Sequence, residues 1–107
     1  MRLVVVGPTE GYPDHNAREY ALAAERVFNN GHITPDGTPL LDGTPEEIIR
    51  ARVADLLAPV LVGVGVVVLD GWESDRASRA VVDLAMALGM PVRTVYAWST
   101  RIFTTRR

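Results

Sequence analysis

Short runs of apolar, β-branched residues alternate along this chain with segments of helical periodicity, and this alternation constrains the fold most. Residues 2–6, 61–69 and 92–97 are such runs and predict strands. The middle run is almost purely apolar, which is typical of a strand covered by helices on both faces. Because parallel strands are joined by helical crossovers, the alternation predicts an α/β domain with a parallel sheet between helices.

Apolar side chains spaced three and four residues apart predict helices over residues 16–29, 45–58 and 75–88. Thr44, Pro45 and Glu47 match a capping box with proline at the first helical position. Residues 32–34 could add a short strand, giving a sheet of four to five strands, and the two turns that follow predict a surface loop over residues 35–44. We expect one domain over residues 1–97 and a tail over residues 98–107, placed at an oligomer interface if it is ordered.

Composition excludes several classes of chemistry. The 107 residues include no cysteine, and all 11 basic residues are arginines. Disulfides, thiolate nucleophiles and lysine Schiff bases are therefore excluded. A formal net charge of -2 gives no broad positive field that would attract a nucleic-acid backbone. We expect a cytoplasmic protein without a membrane segment or signal peptide, and we expect no nucleic-acid partner.

Polar and aromatic residues follow the predicted strands, and the loops that leave the carboxyl ends of parallel strands meet at one edge of the sheet. Three segments should converge there: residues 7–15, residues 70–75 and the residues after Ala97. Carboxylates bind sugar hydroxyls, aromatic rings stack on bases and a helix N-terminus attracts phosphate, so this mixture suits a ribosyl compound. The candidates are Glu10, Tyr12, Asp14, Asn16, Asp70, Trp72, Glu73, Ser74, Asp75 and Trp98.

A structural interpretation of the same residues stays open. Asp and Gly are ordinary turn residues, Ser74 or Asp75 could be only a helix cap, and Trp72 could cover the core. His15 and His32 have no metal-like spacing, so we expect no metal and no cofactor. His15 could still face a ligand, and Arg76 and Arg79 could hold a phosphate.

The stretch GPTEGYPDHN over residues 7–16 resembles the "AGPMTGYPDYN" opening of small nucleoside 2-deoxyribosyltransferase-like proteins, in particular the DUF4406 branch. Residues 55–57, 71–74 and 84–92 agree with later landmarks of that family. The resemblance covers residues 3 to about 95. It implies a flavodoxin-like fold, a three-layer sandwich with helices on both faces of the sheet, and a nucleoside or nucleotide ligand. In active relatives it implies cleavage or transfer at the N-glycosidic bond.

The resemblance also assigns roles. Gly7, Pro8 and Gly11 would shape the first loop, and Tyr12 and Trp72 would flank the base. Asn16, Gly71 and Ser74 would contact the ligand, and Asp70, with Glu73, would supply the catalytic carboxylate. Relatives often complete their pockets across a subunit interface, which implies a homodimer or a larger homo-oligomer.

Two observations leave the activity open. The nucleophilic glutamate of active relatives falls, by spacing, on Val81, and Asp83 lies on the solvent face of the same predicted helix. We therefore expect either a glycosidase or deoxyribosyltransferase that uses the Asp70 loop, or an inactive nucleotide-sensing or interaction module. A purely structural subunit that assembles through apolar helix faces is a third hypothesis.

Overall fold

The fold is a small parallel sheet packed against helices, seen in a computed structural model that describes residues 1–100. The sheet has the order β1-β2-β3 and both of its pairings are parallel, with Val4 beside Val66 and Val66 beside Val92. Its strands are β1 (Arg2–Val6), β2 (Val64–Val68) and β3 (Val92–Thr94). The helices are α1 (Ala17–Asn29), α2 (Pro45–Leu56), α3 (Arg76–Ala87) and α4 (Val95–Ser99), with short 3₁₀ turns at Pro13–Asn16 and Trp72–Ser74.

Alternate residues of the strands pack against different helices, because successive side chains of a strand point to opposite faces. Val4, Val6, Val66 and Val68 share one core cluster with residues of α2 and α3. The other face, which includes Leu3, Val67 and Leu69, packs against residues of α1 and α4. The predicted α/β class and parallel sheet are therefore confirmed.

The expected count of four to five strands is not confirmed, since the sheet of residues 1–100 has three strands. Residues 32–34 form one isolated bridge, in which Ile33 pairs with Arg2. Pro35, two residues after Ile33, has no N–H and so cannot extend the pairing. The central strand begins at Val64, and Leu61 and Val62 before it are exposed.

The last strand is shorter than predicted. It ends at Thr94, whose hydroxyl accepts a hydrogen bond from the Ala97 N–H (3.2 Å) and so caps α4. The prediction of a strand through residue 97 was therefore wrong. Trp98, which we expected in the tail and among the candidate ligand residues, is instead buried, and its indole N–H donates to the Val66 carbonyl (2.7 Å). The expectation that the tail lies at an oligomer interface falls mainly on residues 101–107, outside the described residues.

All three long helices were predicted, with ends that shift by a residue or two. The buried stripe of α2 consists of Ile48, Arg52 and Leu56, so an arginine occupies a core position. Helical spacing in the sequence predicts a stripe of Ile49, Val53, Leu56 and Leu57, but Leu57 is 59% exposed. Within residues 1–100, no helix combines the length and the apolar character needed to cross a membrane.

Gly7 gives a test of how closely β1 and β2 approach at their carboxyl ends. A Cβ at position 7 would lie 2.6 Å from the Cβ of Leu69, so Gly7→Ala forces the backbone apart. We expect the free energy of unfolding to fall by about 2–3 kcal/mol, the usual cost of overpacking.

Gly37→Ala is the matched control, because φ is +85° there and no atom lies within 4 Å of the added Cβ. It should cost about 1 kcal/mol of backbone strain alone. Urea unfolding measures both variants, and equal losses in the two would contradict the close approach.

His32 should make stability depend on pH. Its ring packs edge-on against Trp98 with centroids 5.2 Å apart. Burial, with repulsion from the N-terminal ammonium second, lowers the pKa of His32 below 6.5. The unfolded chain therefore binds a proton at His32 more readily than the folded chain does. The contribution of neutral His32 to stability is complete above the pKa of the unfolded chain and is lost as the pH falls through the pKa of the folded chain.

We expect the loss of unfolding free energy between about pH 7 and pH 5.5, the range in which an unperturbed histidine titrates, to be smaller in His32→Phe than in the wild type. His15→Asn, which changes an exposed histidine, should keep the wild-type dependence. A His32→Phe protein with an unchanged pH dependence would show that His32 is not the titrating group.

Candidate functional site

The loops that follow β1 and β2 lie in contact at the carboxyl edge of the sheet. A Cβ at position 71 would lie 2.8 Å from the Tyr12 hydroxyl oxygen and 3.4 Å from the Pro8 Cγ. Gly71 also has φ +88°, a conformation that favours glycine. The two loops that we predicted to meet therefore do meet, and glycine at position 71 allows the close approach.

The hydroxyl of Tyr20, on α1, fixes the first of these loops. It donates to the Gly7 carbonyl (2.7 Å) and accepts from the Gly7 N–H (3.1 Å). It also accepts from Nη2 of the buried Arg52 on α2 (3.3 Å). A hydroxyl has one donor and two acceptor positions, so this group is fully used. The end of β1 is thus tied to two helices at once.

A left-handed turn shapes the other end of the first loop. Asp14, His15 and Asn16 have φ values of 51°, 52° and 68°. These residue types tolerate that conformation better than most non-glycine residues. The buried Asn16 holds the turn in place, because its Nδ2 donates to the Pro8 carbonyl (2.9 Å). This bond closes the loop on itself and presents Glu10 to His15 at the surface.

An open cleft of about 760 Å³ lies beside this loop. It is bounded by the first loop, by the segment that leads into α2, and by the start of α3. Its lining consists of Thr9, Glu10, Gly11, His15, Leu41, Asp42, Gly43, Thr44, Pro45, Ile48, Ser74, Asp75, Arg76 and Ala77. The N-terminal ends of two 12-residue helices therefore border the same cleft.

Both helix starts are capped by side chains. Thr44 accepts from the Glu47 N–H (3.2 Å), and Glu47 accepts from the Thr44 N–H (2.8 Å), which completes the predicted capping box. The bond from the Thr44 backbone holds the pKa of Glu47 below its usual value. At α3, an oxygen of Asp75 accepts from both the N–H (3.0 Å) and the hydroxyl (2.6 Å) of Ser78. Asp75 is thus the helix cap, as one of our interpretations held.

The structure divides the predicted ligand-binding residues into four groups. Gly11 and Ser74 line the cleft. Gly7, Pro8 and Asn16 are buried and hold the first loop, while Tyr12 and Gly71 join the two loops. Trp72 is half-buried and packs against the core cluster between the sheet and helices α2 and α3, which matches the interpretation of Trp72 as a cover.

The predicted catalytic carboxylates stand apart from the cleft. Asp70 and Glu73 are exposed, and neither lines it. Val81 is 1% exposed and lies in the core cluster, whereas Asp83 faces solvent as predicted. The carboxylates that do line the cleft are Glu10, Asp42 and Asp75.

Sequence reasoning missed the wall formed by residues 41–45 and Ile48, because we took that segment for a surface loop. The capping box at Thr44 was the available signal, since it marks a second helix N-terminus. Within residues 1–100, no group of three or more His, Asp or Glu side chains is placed to hold a metal ion.

Comparison with known proteins gives one family. The family model described as "Domain of unknown function (DUF4406)" matches residues 1–94. No curated protein and no solved structure matches the chain. The matched range includes both loops of the carboxyl edge, the cleft residues and the whole sheet.

Removing the Tyr20 hydroxyl should loosen this edge. Tyr20→Phe leaves the buried polar groups of Gly7 and Arg52 without their shared partner, so we expect a loss of about 2 kcal/mol in unfolding free energy. Tyr96→Phe is the control, because Tyr96 is 78% exposed and its change should cost less than about 0.5 kcal/mol. If denaturant unfolding found the two variants equally stable, Tyr20 would not be the anchor.

Proposed function

This chain belongs to the DUF4406 family, and from that premise we propose that it is a nucleotide-binding domain whose ligand lies in the cleft beside the first loop. The observation that carries the proposal is the meeting of two helix N-termini in one cleft. The starts of α2 and α3 both line it, together with Gly11 of the first loop.

A phosphate group suits this arrangement. The N-terminal end of a helix carries a partial positive charge, so it attracts anions. Arg76 and His15, which also line the cleft, can each donate a hydrogen bond to phosphate oxygens. Arg76 adds a permanent positive charge at the start of α3.

The remaining polar residues of the cleft suit a sugar. Glu10 and Asp42 offer carboxylate oxygens that accept hydrogen bonds from ribose hydroxyls, and Thr9 and Ser74 offer hydroxyls. Asp75 contributes less to a ligand, because one of its oxygens is engaged by Ser78. The placement of Tyr12 and Trp72 beside a base stays a prediction. Of the two, Tyr12 is the more available, since its side chain is 43% exposed.

Binding without catalysis is favoured by the environment of Val81. The family resemblance puts the nucleophilic glutamate of active relatives at this position, and here an apolar side chain fills it inside the core. A carboxylate must reach the anomeric carbon to act as a nucleophile. Asp83 faces solvent on the same helix and does not replace it.

Cleavage or transfer at the N-glycosidic bond is the second candidate, and the position of Asp70 favours it. Asp70 lies two residues beyond Val68, the end of β2, and follows the buried Leu69 at the same edge as the cleft. An exposed carboxylate fixed at a strand end could act on a substrate that extends out of the cleft.

We also propose that the fold is of the flavodoxin-like, nucleoside 2-deoxyribosyltransferase-like type. Two observations support this. Helices pack on each face of the parallel sheet. The bridge between Arg2 and Ile33 adds the beginning of a further parallel pairing on the free edge of β1.

Calorimetric titration with thymidine monophosphate tests the binding proposal. We expect saturable binding that Arg76→Ala weakens about fivefold, since one charge-assisted hydrogen bond at an open site is worth about 1 kcal/mol. Arg79→Ala is the matched control, because Arg79 lies one turn further along α3 and does not line the cleft. Equal effects of the two substitutions, or no saturable binding to the wild type, would contradict the proposal.

Release of free base separates the two candidates. When the protein is incubated with deoxynucleosides and their monophosphates, chromatography should detect no base above the rate without protein. Base release that Asp70→Asn abolishes would instead establish the second candidate.

A further inference from the structure

A second cavity has a volume of about 620 Å³. It rests on β1 between α1 and α2, and residues 34–41 cover it. Most of its lining is apolar, including Val4, Val5, Ala21, Ala24 and Leu41. Leu41 also lines the cleft, but the other lining residues of the two sites differ.

Arg52 brings a buried positive charge to this apolar cavity. The residue is only 2% exposed and lies on the buried stripe of α2. Its Nη2 donates to the Leu40 carbonyl (2.7 Å) and to the Tyr20 hydroxyl (3.3 Å). Its guanidinium carbon lies 5.2 Å from the centre of the Tyr20 ring.

These contacts leave one donor of the guanidinium without a hydrogen-bond partner. Its Nε is buried and has no hydrogen-bond partner among residues 1–100. The ion pair formed within those residues joins Arg2 to Asp55 (3.9 Å), and no carboxylate of residues 1–100 forms an ion pair with Arg52. A buried charge without a counter-ion is costly, and an anion bound beside it would offset that cost.

We propose that this cavity is a binding site for a small apolar molecule that carries one carboxylate, with Arg52 as the group that recognises the anion. A carboxylate accepts charge-assisted hydrogen bonds from a guanidinium, and Nε is the buried donor of Arg52 that has no partner among residues 1–100. The apolar lining receives the rest of the molecule, and the volume lies in the range of small-molecule sites. Because Nε is shielded from solvent, binding there requires a local adjustment of its surroundings.

The acidic residues of the cavity restrict the anion to a single charge. Asp36 and Asp55 both line it, and each is at least partly exposed. A phosphate monoester carries nearly two negative charges at neutral pH and would be repelled more strongly than a carboxylate. The site therefore differs in chemistry from the nucleotide cleft.

Titration of the wild-type protein with phenylacetate, followed by amide NMR shifts, tests the proposal without any substitution. Benzyl alcohol serves as the neutral probe and phenyl phosphate as the dianionic one. We expect saturable shifts with phenylacetate at Ala21, Ala24, Leu41 and Ala51, all cavity residues, and at least fivefold weaker binding of the other two probes. Shifts confined to the cleft residues 74–77, or no saturation up to about 10 mM, would overturn the assignment.

Two substitutions then test the role of Arg52. Arg52→Met keeps an unbranched apolar stem but removes the guanidinium and its charge, and we expect it to weaken phenylacetate binding at least tenfold. Ala24→Leu fills the cavity, leaves Arg52 intact and should have the same effect. Arg50→Met, which changes an exposed arginine of α2, should leave binding unchanged. Wild-type affinity in Ala24→Leu would overturn the proposal even if Arg52→Met failed to fold. Thymidine monophosphate binding to Ala24→Leu reports separately on the cleft.

Discussion

The hydroxyl of Tyr20 is the group on which the arrangement of the carboxyl edge depends. It is buried, and it bonds both backbone polar groups of Gly7 and the guanidinium of Arg52. A buried backbone group needs a partner, and at Gly7 the strand has ended and β2 no longer supplies one. The tyrosine replaces the missing strand partner, and in doing so it fixes the distance from the end of β1 to helices α1 and α2.

The cleft follows from that anchor. With the end of β1 held, Gly71 lets the loop after β2 lie directly against Tyr12 and Pro8. The same contact places the first loop beside the starts of α2 and α3, and all three segments line one cleft. Arg52 extends the network to the Leu40 carbonyl, in the segment that covers the second cavity. The two cavities are therefore built on a single set of hydrogen bonds.

Much of this fold could be predicted from the sequence, because β-branched runs and helical spacing reflect burial directly. The end of the last strand could not be predicted, because the apolar residues Val95 to Ala97 are compatible with a strand or a helix. The hydroxyl of Thr94 caps a helix there. Arg52 was missed because a charged residue is assumed to face solvent. The convergence of the first loop and the Asp70 loop was predicted from the rule for parallel strands. The wall at residues 41–45 was not, since its contact with the cleft depends on tertiary packing.

The claim that the two strand-end loops and two helix starts form one nucleotide site is tested most directly by mapping where a nucleotide binds. Amide NMR shifts upon addition of thymidine monophosphate would show this residue by residue. The largest shifts should fall at Gly11, at residues 44–48 and at residues 74–77. If they fell instead at the opposite edge of the sheet, near Leu61 and Val62, the cleft would not be the binding site.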